Sequence, residues 1–124
     1  MKKIIIGVLV IMILSTTNVN AASKNKMKLY TRVYIATKYG WNNEEFEALE
    51  KLVQKESSWN ARAVNRYSGA CGLFQTYPCN KMRKYGRNYR TNYKVQVKWG
   101  TAYIKERYGS PKNAWNFWLK NKWY

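Results

Sequence analysis

Helix punctuation recurs along this chain and restricts its fold more than any other feature. Gly40 and Gly109 each follow an apolar-periodic segment, and Asn42-Asn43 and Ser110-Pro111 each precede one. Glycine takes the left-handed conformation that ends a helix. Asn and Ser side chains cap a first turn, and proline suits the first helical position. The spacing predicts a helix through Leu29, Val33 and Ala36 that stops at Gly40. It predicts a second from Asn43 to Ser57, capped by Asn42 or Asn43. A third runs from Asn92 to Tyr108, and a last one after Pro111 carries Ala114, Trp115, Phe117 and Trp118. Glu44, Glu45 and Glu47 begin the second helix, where the macrodipole favours anions. Trp59 to Tyr89 is rich in Gly, Asn, Ser and Pro and reads as loops with one short helix. No stretch alternates cleanly over strand length, so the expected fold is mainly α with little or no β-structure. At 124 residues the chain supports one domain.

The N-terminus reads as an address. Met1-Lys2-Lys3 is a basic start, Ile4 to Leu14 is apolar, and Val19-Asn20-Ala21 offers small or apolar residues around a cleavage point. This is the pattern of a secretory signal peptide, residues 1–21, cleaved after about Ala21 or Ala22. The apolar run is shorter than the roughly 20 residues of a transmembrane helix, so no stable membrane anchoring is expected once it is removed. The domain proper is residues 22–124, expected to be secreted and monomeric. Loss of Lys2 and Lys3 lowers the formal charge from +17 to +15. Cys71 and Cys79, the only cysteines, read as one disulfide in an oxidising compartment. The alternative is two buried free thiols.

Composition limits the chemistry. The six acidic residues are all glutamates, and there is no aspartate or histidine. That excludes Ser-His-Asp and Cys-His catalysis, His-ligated zinc and EF-hand loops. Two cysteines cannot hold a metal unaided, so neither a metal nor a cofactor is expected. Glu56 stands apart. At about 100° per residue, Leu49, Leu52 and Val53 lie within roughly 60° of it. It therefore belongs to the apolar stripe of the second helix, at the C-terminal end. Glu47 falls on the opposite face, Glu50 about 120° away, and Glu45 about 16 Å up the axis. Burial and the negative end of the helix dipole both raise a carboxyl pKa, and a protonated carboxyl near neutral pH can act as a general acid. The same glutamate could instead snorkel, or pair with a cation.

Glu56-Ser57-Ser58-Trp59-Asn60 and Ser68-Gly69-Ala70-Cys71-Gly72-Leu73-Phe74-Gln75 resemble the first two motifs of the soluble-lytic-transglycosylase (SLT) family. Gly100-Thr101-Ala102-Tyr103-Ile104 resembles its third motif. Ala114-Trp115-Asn116 resembles its fourth, with Trp115 in place of tyrosine and Phe117-Trp118 in place of Ala-Gly. The resemblance spans about residues 29 to 124, and its variant looks like small secreted cell-wall proteins of Gram-positive bacteria. It implies a lysozyme-like single domain with Glu56 as the single acid/base. Ser57 would orient Glu56 or a substrate acyl group, and Gln75 would hydrogen-bond substrate while Gly72 permits close backbone approach. Tyr103 would hydrogen-bond Glu56, Asn116 would contact a sugar, and Trp115 would wall the groove. The implied partner is the glycan strand of peptidoglycan.

One carboxylate narrows the reaction. Most glycosidases use two. One suffices when the substrate supplies its own nucleophile, as the muramic-acid 6-hydroxyl can. The expected reaction is cleavage of the MurNAc–GlcNAc β-1,4 bond with formation of 1,6-anhydro ends. A hydrolytic muramidase would need a second acid, and Glu106 is the remaining candidate. A non-catalytic wall-binding module would use the aromatic residues without needing Glu56 and Gln75 together. The scattered cations fit anionic wall polymers better than a specific nucleic acid, for which no motif is present.

Overall fold

In a computed structural model of the chain, residues 20–124 are described. Residues 1–19, most of the expected signal peptide, lie outside them. Among the described residues four α-helices form in chain order: α1 Ala21–Tyr39, α2 Asn43–Ser57, α3 Tyr93–Tyr108 and α4 Pro111–Asn121, with a 3₁₀ helix, η1, at Cys79–Tyr85 between α2 and α3. Among the described residues β-structure is limited to two isolated antiparallel bridges, Val64 with Cys71 and Cys71 with Thr76. No helix among these residues is long and apolar enough to cross a membrane.

The punctuation acts as its chemistry requires. Gly40 (φ 71°) closes α1 by donating its N–H to the Ala36 and Ile35 carbonyls. Asn42, rather than Asn43, caps α2 by accepting from the Glu45 N–H at 3.1 Å. Asn92 caps α3, and Ser110 caps α4 with Pro111 at its first position. One expected stripe is overturned. Leu29 and Val33 are 62% and 54% exposed, and α1 buries Met27, Thr31 and Ile35 instead. Both sets have helical spacing. The second faces the core because the chain docks that side, and Thr31 is tolerated there because its hydroxyl donates to the Met27 carbonyl at 2.8 Å.

The central helix is α2, packed against α1 and α4, while α3 packs against α1, α4 and η1. Phe46, Leu49, Leu52 and Val53 of α2 enter a core with Ile35, Trp59, Leu73, Phe74, Ile104 and Trp118. A smaller cluster of Met82, Tyr89, Val95 and Trp99 surrounds the Cys71–Cys79 disulfide. The bridge joins the loop after α2 to the start of η1. On a chain-entropy model, reducing it should cost about 2–3 kcal/mol. Denaturant unfolding with and without reductant measures this, and coincident midpoints would show that the loop is held without the bridge.

Candidate active site

Six glutamates, all among the described residues, take different positions. Glu44 pairs with the Lys112 ammonium at 3.3 Å, and Glu50 pairs with Lys28 at 3.0 Å. Glu45 accepts from the Lys112 backbone N–H at 2.9 Å, which caps α4 from outside. Glu47 and Glu106 are exposed. Glu56 alone is buried, 3% exposed, in the last turn of α2. The helix phase assigned from sequence holds there.

Beyond Glu56 the chain leaves the helix sharply. Ser58 (φ 54°) and Trp59 (φ 57°) both take left-handed backbone conformations, uncommon for non-glycine residues. Complete burial of the Trp59 ring offsets that strain, and its indole N–H donates to the Glu50 carbonyl at 3.4 Å. The turn brings residues 70–76 back under the end of α2. Ser57, itself buried, donates its hydroxyl to the Leu73 carbonyl at 2.9 Å. In this structure it fastens the loop to the helix that carries Glu56.

The loop is braced from inside. Gln75 is 1% exposed, with φ at 49°. Its amide nitrogen donates to the Gly72 carbonyl at 3.0 Å and the Ala63 carbonyl at 3.3 Å, which fixes the amide orientation. These two bonds give the residue a structural role in addition to the substrate contact that the resemblance implies. Its Oε1 is buried with no hydrogen-bond partner, a state that costs about 1–3 kcal/mol for such a group. The close approach at Gly72 is also internal. A Cβ there would stand 2.7 Å from the Gln96 side chain, at a φ of 80°. At Gly100 a Cβ would overlap the Phe74 ring, so the glycine of the third motif seats the second motif's phenylalanine.

Around Glu56 the structure gathers tyrosines. Tyr103 stacks on Trp99 at 5.1 Å and meets Tyr124 edge-on at 5.7 Å. It also meets the Tyr108 ring edge-on at 6.4 Å, and the Tyr108 hydroxyl accepts from the Arg107 guanidinium at 3.2 Å. Tyr124 is wholly buried and donates to the Phe74 carbonyl at 2.6 Å. Burial, reinforced by the nearby Tyr108 hydroxyl and the Glu56 carboxylate, pushes Tyr103 up to about 12. Burial first, then Glu56, raises Tyr124 well above its ordinary range.

These shifts give a signed expectation. A tyrosine whose pKa is raised by folding stays neutral where the unfolded chain ionises. Its contribution is therefore intact below pH 10 and is lost as pH rises towards 12. After discounting for the partial exposure of Tyr103, this is roughly 1–2 kcal/mol. Tyrosinate absorbance should show a late-titrating class in the folded protein that merges with the rest in denaturant. A single transition near the ordinary value in both states would contradict it.

The fourth motif divides. Ala114 is in the core, and Trp115 is half-buried and stacks on Trp118 at 5.4 Å. Asn116 is exposed on α4. The aromatic series next to Glu56 continues into α4 through Tyr108 and Phe117, 5.3 Å apart. Sequence reasoning missed Gln96, Tyr108 and Tyr124 as parts of the site. Gln96 left a faint signal, since it precedes Gly100 by four positions and Tyr103 by seven and so shares their helix face. Tyr124 left none.

A mainly helical domain whose one buried carboxyl ends the central helix, above a loop braced by glutamine and glycine, falls in the lysozyme-like class. The family comparison goes further: the model of the transglycosylase SLT domain matches residues 33–120, and the chain belongs to that family. The matched range takes in Glu56, the 72–75 loop, Tyr103 and Asn116. The domain is thus of the glycan-cleaving, lytic-transglycosylase type. No significant match was found among curated proteins or among solved structures.

Proposed function

We propose that the protein is a secreted, monomeric peptidoglycan lytic transglycosylase of the small Gram-positive type, with Glu56 as its single acid/base. The observation that carries the reading is the burial of this one carboxyl group at the end of α2, among Tyr103, Tyr108 and Tyr124, while the other five glutamates are partly or largely exposed. Glu56 protonates the glycosidic oxygen between MurNAc and GlcNAc. As carboxylate it then takes the proton of the muramyl 6-hydroxyl, whose oxygen closes on C1 to give the 1,6-anhydro end. The tethered nucleophile gains from a high effective molarity. Ser57 and Gln75 hold the loop that faces the substrate. Trp115 and Asn116 extend the groove along α4. The signal peptide directs export, and a charge of +15 holds the enzyme to anionic wall polymers.

A hydrolytic outcome has one observation in its favour: Glu106 lines a groove that Tyr103 also lines. Digestion of purified sacculi in oxygen-18 water separates the two reactions. Transglycosylation gives unlabelled 1,6-anhydro products by mass spectrometry. A labelled reducing end means hydrolysis and makes Glu106 the next residue to replace.

A further inference from the structure

We propose that a strip of exposed cations running from η1 onto the first turns of α3 is a docking surface for a phosphodiester-linked polymer of the cell wall. This rests on the reading that the protein works at the wall, and it assigns to one surface an attraction that net charge leaves spread over the whole molecule. The strip is Arg83, Lys84, Arg87, Arg90, Lys94 and Lys98, all exposed. Residues 57 to 105 hold ten Lys and Arg and no acid, so this part of the chain supplies no counter-charge of its own. The carboxylates stand elsewhere. Glu44, Glu45, Glu47 and Glu50 are on α2, where Glu44 pairs with Lys112 and Glu50 with Lys28. Glu106 lies about 12 Å along α3 beyond Lys98.

The packing beneath the strip turns these cations outward. Met82, Tyr89 and Val95 are buried around the disulfide. Gly86 closes on α3 so tightly that a Cβ there would stand 2.7 Å from the Val95 side chain. The Tyr89 carbonyl accepts from the Gln96 amide at 2.9 Å. The segment between η1 and α3 is thereby held against the start of that helix, with its basic side chains at the surface. Lys94 and Lys98 share a face of α3, about 6 Å apart along the axis. Three of the cations lie over tyrosine rings: Lys84 over Tyr85 at 5.5 Å, Arg90 over Tyr89 at 5.6 Å and Lys94 over Tyr30 at 5.5 Å. A ring holds a cation in place without neutralising it. The arginines of the strip add planar donors suited to phosphate oxygens.

The aromatic neighbours separate two kinds of polyanion. Tyr85, Tyr89 and Tyr93 alternate with the cations, a pattern that would suit the stacking of nucleic-acid bases if the rings were free. Tyr89 is 6% exposed, and Tyr93 is half-buried, edge-on to Tyr30 at 5.6 Å. Of the three, Tyr85 alone is exposed. The strip therefore offers charge without a stacking platform, which fits a polymer of phosphate and polyol better than one that carries bases. Lys84 and Tyr85 also line the groove that Tyr103 lines, so a polymer on the strip holds the candidate active site against the wall.

The test compares two variants of equal charge by cosedimentation with purified walls. Arg87→Gln/Lys94→Gln/Lys98→Gln alters the strip. Lys26→Gln/Lys51→Gln/Lys120→Gln removes the same charge from exposed positions on α1, α2 and α4. On walls that carry their phosphodiester polymer, the strip variant should bind at least about tenfold more weakly than the wild type at physiological salt. The slope of log affinity against log salt should fall by about 2. The control variant should stay within about twofold of the wild type. On walls stripped of the polymer, the wild type should lose its advantage over the strip variant. The single reversal Lys98→Glu should weaken binding in the same sense, and thermal unfolding checks that each variant is folded. Equal losses in the two triple variants, or a strip effect that survives removal of the polymer, would overturn the proposal. So would tighter binding of the wild type to a single-stranded oligonucleotide of matched charge than to the isolated polymer. The catalytic reading is scored separately, as muropeptide release from the stripped walls by the wild type.

Discussion

Glu56→Gln should reduce wall lysis by at least about two orders of magnitude, the usual scale for losing a general acid. The amide keeps the shape of the buried side chain but cannot deliver a proton to the leaving oxygen or take one from the 6-hydroxyl. Folding should survive, because the change removes a buried ionisable group without altering volume, and its neighbours Tyr103, Tyr108 and Tyr124 are neutral. The readout is muropeptide release from purified sacculi, with thermal unfolding as the control on the fold. Affinity for walls should be retained. That result separates an enzyme from a wall-binding module, since a pure binder would behave the same before and after the change. Full activity in Glu56→Gln would move the chemistry elsewhere, with Glu106 the first place to look.

Gln96→Leu should lose at least about 3 kcal/mol of folding stability, and activity with it. Gln96 is wholly buried. Its Oε1 accepts from the Leu73 N–H at 2.9 Å, and its Nε2 donates to the carbonyls of Ala61 and Tyr89, each at 2.9 Å. One side chain on α3 thus satisfies backbone groups from three points of the long loop region. Leucine is close in volume but leaves all three without this partner, and each buried orphan costs about 1–3 kcal/mol. The loop that carries Gly72 and Gln75 would also lose its anchor, so the activity deficit should exceed the fraction unfolded. Chemical denaturation gives the first quantity, and turnover at a temperature where the variant is folded gives the second. Gln96→Glu is an informative companion. It can keep the bond to Leu73 but cannot donate to both carbonyls, so it should fall between the two. A leucine variant as stable as the wild type would show that water replaces the amide.

Both predictions depend on helix phase, and phase was readable in the sequence. The buried position of Glu56 follows from the angular neighbourhood of Leu49, Leu52 and Val53, which is set by the chain's own geometry within one helix. The helix ends were legible for a similar reason. Gly40, Asn42, Asn92, Gly109, Ser110 and Pro111 act within a turn of where they stand. The short-range disulfide between Cys71 and Cys79 and the loop-rich stretch after Trp59 belong to the same local class.

What the sequence could not decide was which of two equally periodic faces α1 would bury, because Leu29/Val33 and Met27/Ile35 satisfy the same spacing. That choice is made by the surfaces offered by the other helices. Nor could it say that Gly72 makes room for Gln96 and Gly100 for Phe74. A missing Cβ has meaning only against the atom that occupies its place, and those atoms are 24 and 26 residues away in sequence. Tyr124 is the extreme case. Its hydroxyl reaches the Phe74 carbonyl across 50 residues, and its ring meets Tyr103 beside Glu56. By itself the sequence determined a helical domain with one candidate acid on an apolar face. Only tertiary packing decided which tyrosines surround that acid and which glutamine holds its loop, because burial and hydrogen bonding at long range depend on partners that local periodicity does not name.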